Sequence, residues 1–253
     1  MNRVVRKLLR SCGLYDIVVD FKYALTNTEA EYVRFYSQFV GKGSLCFDIG
    51  ANVGRRTRVF LKLGASVVAV EPQGYCVRKL RRKFADNSRV VLLEKAIGEA
   101  KGSAEIMLCD SHSLSSLSKE WVNSVKSSGR YAACSWNRSV TVPVATLDDL
   151  ICEYGKPDFI KIDVEGYELP ALKGLSQPIK VICFEFTGEF IDSAVDCVNY
   201  LSAIGPVEFN YCLEQQPTNM ALSEWAAPER MRRILTELSG RKEVGDVYAR
   251  FDI

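Results

Sequence analysis

The sequence predicts an α/β fold in which a mostly parallel sheet carries helices on both faces. Two observations carry that expectation. From Ser44 onward, short apolar runs alternate with helical stretches, the signature of βαβ units. One of these runs, Leu45 to Asp48, leads into the turn Gly50-Ala51-Asn52-Val53-Gly54 and then into helix-forming residues, with Glu71-Pro72 following at the end of the next run. A strand, a glycine-bearing turn, a helix and a later acidic residue are how a parallel β/α unit grips a ribose-bearing cofactor.

In order along the chain, residues 1–40 read as an N-terminal helical extension. A basic amphipathic opening sets Val4, Val5, Leu8 and Leu9 among Arg3, Arg6, Lys7 and Arg10. A second helical piece runs from Thr28 to Val40, with Thr28 and Glu31 spaced as a capping box and Tyr32, Phe35, Tyr36 and Phe39 at helical spacing. It reads as a lid or a buttress. Residues 41–253 then form one domain. Strands are expected near Leu45–Asp48, Val67–Glu71, Val90–Glu94, Phe159–Asp163 and Val181–Glu185, and helices near Val53–Lys62, Tyr75–Ala85, Glu168–Lys173 and Ile191–Ile204. An insertion at about 98–145 separates the third and fourth strands. It holds a hairpin around Gly98–Cys109, a Ser-rich stretch from Ser111 to Ser118, a polar segment near Trp121–Asn137, and Val140–Val144, where Pro143 argues for the sheet's edge. Two more strands, Val207–Leu213 and Asp246–Phe251, flank a helix near Pro228–Leu238, with Pro228 suited to its first turn.

Composition narrows the function classes. Lys plus Arg number 33 against 31 Asp plus Glu, so no global field draws the chain to nucleic acid or anionic membrane. No apolar run reaches the roughly 18 residues of a transmembrane segment, and the charged opening lacks the apolar core of an export signal. Nine cysteines without a C-x-x-C pair fit reduced thiols better than disulfides or zinc ligands. A cytoplasmic chain acting on a small molecule is expected, and a homo-oligomer is compatible with the pattern.

The glycine spacing discriminates between cofactors. A dinucleotide site requires G-x-G-x-x-G so that the backbone can approach a pyrophosphate; here Asn52 takes the second glycine's place and the last glycine comes one residue early. No G-x-x-x-x-G-K-[ST] phosphate loop occurs either. The remaining D-x-G-x-N-x-G turn suits a cofactor with a ribose and a charged amino-acid tail but no phosphate. S-adenosylmethionine is such a molecule. Gly50 lets the backbone pass close to it, Asn52 and the helix amides after Gly54 meet its polar tail, and Asp48 favours the cationic end. Glu71 is the expected ribose ligand, because one carboxylate accepts from both hydroxyls. Pro72 stiffens the turn after it, and Ala96 and Ile97 flank the adenine.

The combination F-D-I-G-A-N-V-G, V-E-P, T-L-D-D at 146–149 and F-I-K-I-D-V-E-G-Y-E-L-P-A-L-K-G at 159–174 resembles the FkbM family of S-adenosylmethionine-dependent methyltransferases, and the closing G-D-V-Y-A-R at 245–250 fits as well. The resemblance implies a Rossmann-like class I methyltransferase fold, its seven-stranded sheet ending in an antiparallel strand. It also implies O-methylation of a hydroxyl on a sugar, polyketide or other small metabolite, and it includes Glu165 in its motif.

Asp163 and Glu185 end the fourth and fifth strands, where open parallel sheets bind ligands, so Asp163 should border the transferred methyl. Lys161 shares its face of the strand and needs a partner, which Asp163 or Glu185 can supply. Methyl transfer to a hydroxyl requires orientation and then removal of a proton. Either a carboxylate (Asp163 or Glu185) or the only histidine, His112, takes that proton, or Asp163 and Glu185 hold Mg²⁺ on oxygen ligands. Glu165 and Glu168 serve either the site or the dipole of the helix that follows. Arg55, Arg56 and Arg58 crowd a helix start, where positive charge is unfavourable and asks for compensation. Alternatives are an NAD-dependent oxidoreductase, which the glycine spacing opposes, and a non-catalytic nucleotide-binding protein. Nucleic-acid methylation is opposed by the balanced charge and the lack of an N-P-P-Y-like motif.

Overall fold

The computed structural model describes residues 28–214 and 218–252. The basic amphipathic opening expected over residues 3–10 lies outside them. In chain order the first elements are α1 (Thr28–Tyr36), β1 (Leu45–Ile49), α2 (Arg55–Lys62), β2 (Ser66–Val70), α3 (Gly74–Phe84) and β3 (Val90–Leu93). The insertion follows with β4 (Ala96–Ile97), β5 (Gly102–Leu108), α4 (Lys119–Ser127) and β6 (Arg138–Ala145). The second half contributes α5 (Leu147–Tyr154), β7 (Phe159–Ile162), α6 (Glu168–Lys173), β8 (Val181–Thr187), α7 (Ile191–Ile204), β9 (Val207–Leu213), α8 (Pro228–Glu237) and β10 (Val244–Phe251).

The seven-stranded sheet has the order β3-β2-β1-β7-β8-β10-β9. Its first five strands run parallel, and β10 is antiparallel to both β8 and β9. This is the class I methyltransferase order. The chain builds outward from β1 to β3, then returns to lay β7 on the other side of β1, so the order reverses between β1 and β7. That reversal opens a crevice at the carboxyl ends of these two strands.

Alternation along the buried strands feeds a core on each face. Phe47, Ile49, Ile160, Ile162 and Phe184 point to one side, towards α5, α6 and α7. Cys46, Phe159 and Cys183 point to the other, where Tyr32, Phe35 and Tyr36 of α1 pack with Phe60 of α2 and Tyr248 of β10. Phe39 stacks on Phe159 and Tyr248 at ring-centroid distances of 5.8 and 5.6 Å. The aromatic stripe of α1 is therefore core, and this helix is a buttress. The side chain of Thr28, expected as its cap, lies outside the described set.

The insertion departs from expectation in two ways. The segment around Gly98–Cys109 does not close a local hairpin: β5 pairs antiparallel with β6, across the whole of α4. The β6 strand, in turn, does not join the edge of the main sheet but forms the middle of a separate three-stranded sheet, β4-β6-β5. Pro143 is accommodated because β4 pairs only with Val144 and Ala145, leaving Pro143 a single neighbour, Ser103. Two helices also occupy stretches where the sequence pattern suggested none. Ser118 caps α4 by accepting from the Trp121 amide, and Thr146 and Asp149 form a reciprocal capping box at α5.

Candidate active site

The turn after β1 is shaped by three left-handed residues, Gly50, Asn52 and Gly54, with φ of 80°, 51° and 78°. At Gly50 the requirement is absolute: a Cβ there would lie 1.9 Å from the carbonyl oxygen of Asp163, so β1 and β7 can meet at the crevice only without a side chain. Asn52 tolerates its left-handed backbone as few other residues do, and its amide donates to Glu71 Oε2 at 2.8 Å. The Gln73 amide donates to Glu71 Oε1, also at 2.8 Å. These two bonds, with the Gln73 side chain as a further donor, fix the carboxylate in place, and a carboxylate with four acceptor sites keeps capacity beyond them. Glu71 is 2% exposed, and burial raises its pKa to about 7 against the lowering effect of those donors. A buried acid with free acceptor capacity, facing a cleft of about 1400 Å³ together with Gly50, Asn52, Pro72, Ala96 and Ile97, fits the diol of a nucleoside.

Asp48 and Gly54 are placed differently from the residues around them. The carboxylate of Asp48 accepts from Thr57 Oγ1 at 2.5 Å, tying β1 to α2, and burial raises its pKa to about 6. Gly54 turns towards α3, where a Cβ would meet Phe84 and Leu80 at 2.5 and 2.7 Å. Glu29 answers the basic start of α2, pairing with Arg58 at 2.6 Å and Lys62 at 2.5 Å. The Arg56 guanidinium lies 3.8 Å from the Tyr32 ring centroid.

On the other side of the crevice, Asp163, Glu165 and Glu185 bring carboxylate oxygens within 4.8 Å of one another. Burial, then the neighbouring carboxylates, pushes Glu165 and Glu185 well above the ordinary range. Such a cluster retains a proton where an isolated acid would have lost it. Glu165 itself has a left-handed backbone, φ 55°, and the local fold holds that strain in place. Its carbonyl accepts from Ser116 Oγ at 2.6 Å, while Glu168 Oε1 accepts from the amides of Val164 and Gly166 at 3.1 and 3.2 Å. Glu168 is thus occupied with clamping this loop.

Lys161 is fully buried, and its nearest partner is one that strand spacing did not suggest. Its Nζ lies 2.7 Å from Asp246 Oδ1 on β10 and 3.5 Å from Asp163 Oδ2. Burial alone would lower the pKa of Lys161, but Asp246, Cys183 and Asp163 outweigh it and hold the ammonium well above its ordinary value. Asp246 belongs to the G-D-V-Y-A-R segment, and only the antiparallel pairing of β10 with β8, which sets Asp246 opposite Glu185, brings it to this site.

The insertion forms the remaining wall. Arg130 grips Glu189 through Nε at 2.7 Å and Nη2 at 3.0 Å, and Trp121 Nε1 donates to Thr187 Oγ1 at 3.1 Å. Trp121 also fills the space over Gly166, whose Cβ would come within 2.2 Å of the indole. The adjoining Tyr131 is raised above its usual pKa by burial, with Glu165 and Glu185 adding to the shift. Tyr131 lines the same cleft as these carboxylates, and nothing in its sequence context signalled it. His112 lies in the same cleft but nearer β2: its carbonyl accepts from Gln73 Nε2 at 2.9 Å, and its ring sits 5.7 Å from that of Tyr75. These contacts put His112 beside the Glu71 side of the crevice, whereas the carboxylates gather at β7 and β8.

Over 158 residues the chain is 24% identical to the hexuronic acid methyltransferase AglP of Haloferax volcanii; the match covers 62% of this chain and spans about 60% of that relative's length. Among solved structures, precorrin-6y C5,15-methyltransferase from Geobacter metallireducens aligns with a TM-score of 0.46 and 13% identity, covering 88% of both chains. An rRNA methylase from Streptococcus thermophilus aligns with a TM-score of 0.45 and 10% identity, covering 87% of this chain and 93% of its own. The sequence profile of the methyltransferase FkbM domain matches residues 48–238, from the aspartate that ends the first strand's apolar run through the helix before the last strand. The chain belongs to the FkbM methyltransferase family.

Proposed function

We propose that this chain transfers the methyl group of S-adenosylmethionine to a hydroxyl of a sugar acceptor that carries a carboxylate. The observation that carries the reading is the division of one cleft into a nucleoside side, at Glu71, and a carboxylate cluster, at Asp163, Glu165 and Glu185. S-adenosylmethionine supplies an electrophilic methyl on a sulfonium cation. Glu71 holds the ribose hydroxyls, Gly50 and Asn52 admit the amino-acid tail, and Pro72, Ala96 and Ile97 enclose the base. Asp163 lies at the strand ends between these two halves, where its charge favours the cationic centre.

A hydroxyl acceptor must lose its proton as the new C–O bond forms. Glu185 in its ionised form, with the proton the cluster retains resting on Glu165, is the proposed proton acceptor, because burial and the neighbouring carboxylates make it a stronger base than an ordinary carboxylate. Lys161 supplies a fixed positive charge beside Asp163, and proton removal then requires no Mg²⁺ on Asp163 and Glu185. Tyr131 and the Arg130 anchor shape the acceptor's side of the cleft. Arg55, Arg56, Lys95 and Arg138 face the same cleft and offer cationic partners for an acidic sugar. The relative named for a hexuronic acid supports that acceptor class.

Formation of S-adenosylhomocysteine with uronic acid glycosides, compared with their neutral counterparts, tests the reading. Turnover should favour the acidic acceptor, fall at least a hundredfold in Glu185→Gln and show no dependence on added Mg²⁺. Turnover confined to neutral acceptors would remove the acidic-sugar assignment, and loss of activity on chelation that Mg²⁺ restores would replace the carboxylate base with a metal.

A further inference from the structure

The insertion carries a second group of potential ligands. Cys109 follows β5, and Cys134 lies between α4 and β6, far apart in sequence and in no recognisable metal motif. In the fold, Cys109 Sγ, Cys134 Sγ and a carboxylate oxygen of Asp110 all lie within 4.8 Å of one another. All three residues line the wall of the cleft.

The surrounding backbone organises the cluster. Asp110 and Ser135 are cross-linked, the Asp110 amide donating to the Ser135 carbonyl at 3.1 Å and the Ser135 amide to Asp110 Oδ1 at 3.3 Å. The Cys109 amide donates to Ser115 Oγ at 3.1 Å. The Ser111 amide donates to Cys109 Sγ at 3.4 Å, as donors to metal-bound thiolates do. Cys134 closes a turn by donating its amide to the Tyr131 carbonyl at 2.8 Å.

We infer that Cys109, Cys134 and Asp110 bind a thiophilic divalent cation of the Zn²⁺ type. In a tetrahedral site with Zn–S bonds of about 2.3 Å, two thiolate sulfurs stand roughly 3.8 Å apart, so the present spacing needs little closure. Two sulfurs with one carboxylate suit Zn²⁺, whereas Mg²⁺ requires an all-oxygen set. The third donor and the amide aimed at Cys109 Sγ favour a cation over a disulfide, which would use neither. Three protein ligands leave a fourth position for water or a group of the acceptor. Binding releases the two thiol protons to solvent, one for each sulfur–metal bond formed. The cation would tie the segment after β5 to the segment before β6 and brace the turn that carries Tyr131 along the cleft. This site uses none of the residues assigned to methyl transfer, so it stands or falls apart from that reading.

Titration of the full chain with Co²⁺ under reducing, oxygen-free conditions after metal removal tests the site. Thiolate-to-cobalt charge-transfer absorption should saturate at one equivalent and be displaced by one equivalent of Zn²⁺. Cys109→Ser and Cys134→Ser should each abolish the absorption. Asp110→Asn, at an exposed position that leaves both thiols and the fold intact, should weaken binding at least tenfold, and Cys152→Ser, at an exposed cysteine elsewhere, should leave it unchanged. Circular dichroism checks that each variant is folded. No absorption in the unaltered chain, absorption surviving both cysteine changes in folded protein, unaltered affinity in Asp110→Asn, or loss of both thiols to a disulfide under these conditions would each overturn the inference.

Discussion

Glu71 illustrates how this site sets stability against function. Its carboxyl pKa stands near 7 in the fold, above the ordinary value of 4.5. The folded chain therefore binds this proton more tightly than the unfolded chain does. Stability is lost as pH rises through the window from about 4.5 to 7 and stays reduced above it. Asp48, raised to about 6, and Glu168, raised to about 7, act in the same direction. The Glu71→Gln variant should melt at or above the temperature of the unaltered chain at pH 8, show a flatter pH dependence by calorimetry, and bind S-adenosylmethionine more weakly. Gly50 marks the opposite case, where geometry leaves no choice. Gly50→Ala should lose about 3 kcal/mol or more in urea unfolding, because its methyl group would collide with the Asp163 carbonyl. Lys161 completes this scale: Lys161→Met strands Asp246 and should cost roughly 3–5 kcal/mol, much of it recovered when Asp246→Leu is added.

At the scale of elements, the insertion depends on a few contacts with the strand ends. Arg130 and Glu189 are its strongest polar link, worth about 1–2 kcal/mol for a partly exposed charged pair. Arg130→Ala should speed proteolytic cleavage within residues 109–137 and lower turnover while leaving S-adenosylmethionine affinity within about twofold. The same scale explains what could be read in advance. The five parallel strands and the helices between them were legible because their apolar runs and glycine turns are local signals. The placing of Glu71 and the Asp163–Glu165 loop at one cleft was legible because their motifs are contiguous. Strand β6 was misread because Pro143 was weighed without knowing that β4 is only two residues long. Helix α5 carried its capping signal in Thr146 and Asp149, but an aspartate at the third helical position is a weaker cue than a glutamate. Asp246, Tyr131 and the Cys109–Cys134 pair were invisible because each acquires its meaning from a partner far away in the chain.

For the whole molecule, the sheet order decides which of these groups meet. Reversal between β1 and β7 opens the crevice, the antiparallel placement of β10 between β8 and β9 delivers Asp246 beside it, and the aromatic packing of α1 secures the opposite face. The proposed nucleoside end at β2 and the carboxylate cluster at β7 and β8 then lie two to three strand spacings, roughly 10–14 Å, apart. That span suits a ligand as long as S-adenosylmethionine with its reactive carbon towards the acids. Calorimetric titration of the full chain with S-adenosylmethionine tests this most directly. Saturable one-to-one binding is expected, at least tenfold weaker in folded Glu71→Ala. No binding at millimolar ligand, or equal affinity in the variant, would contradict it.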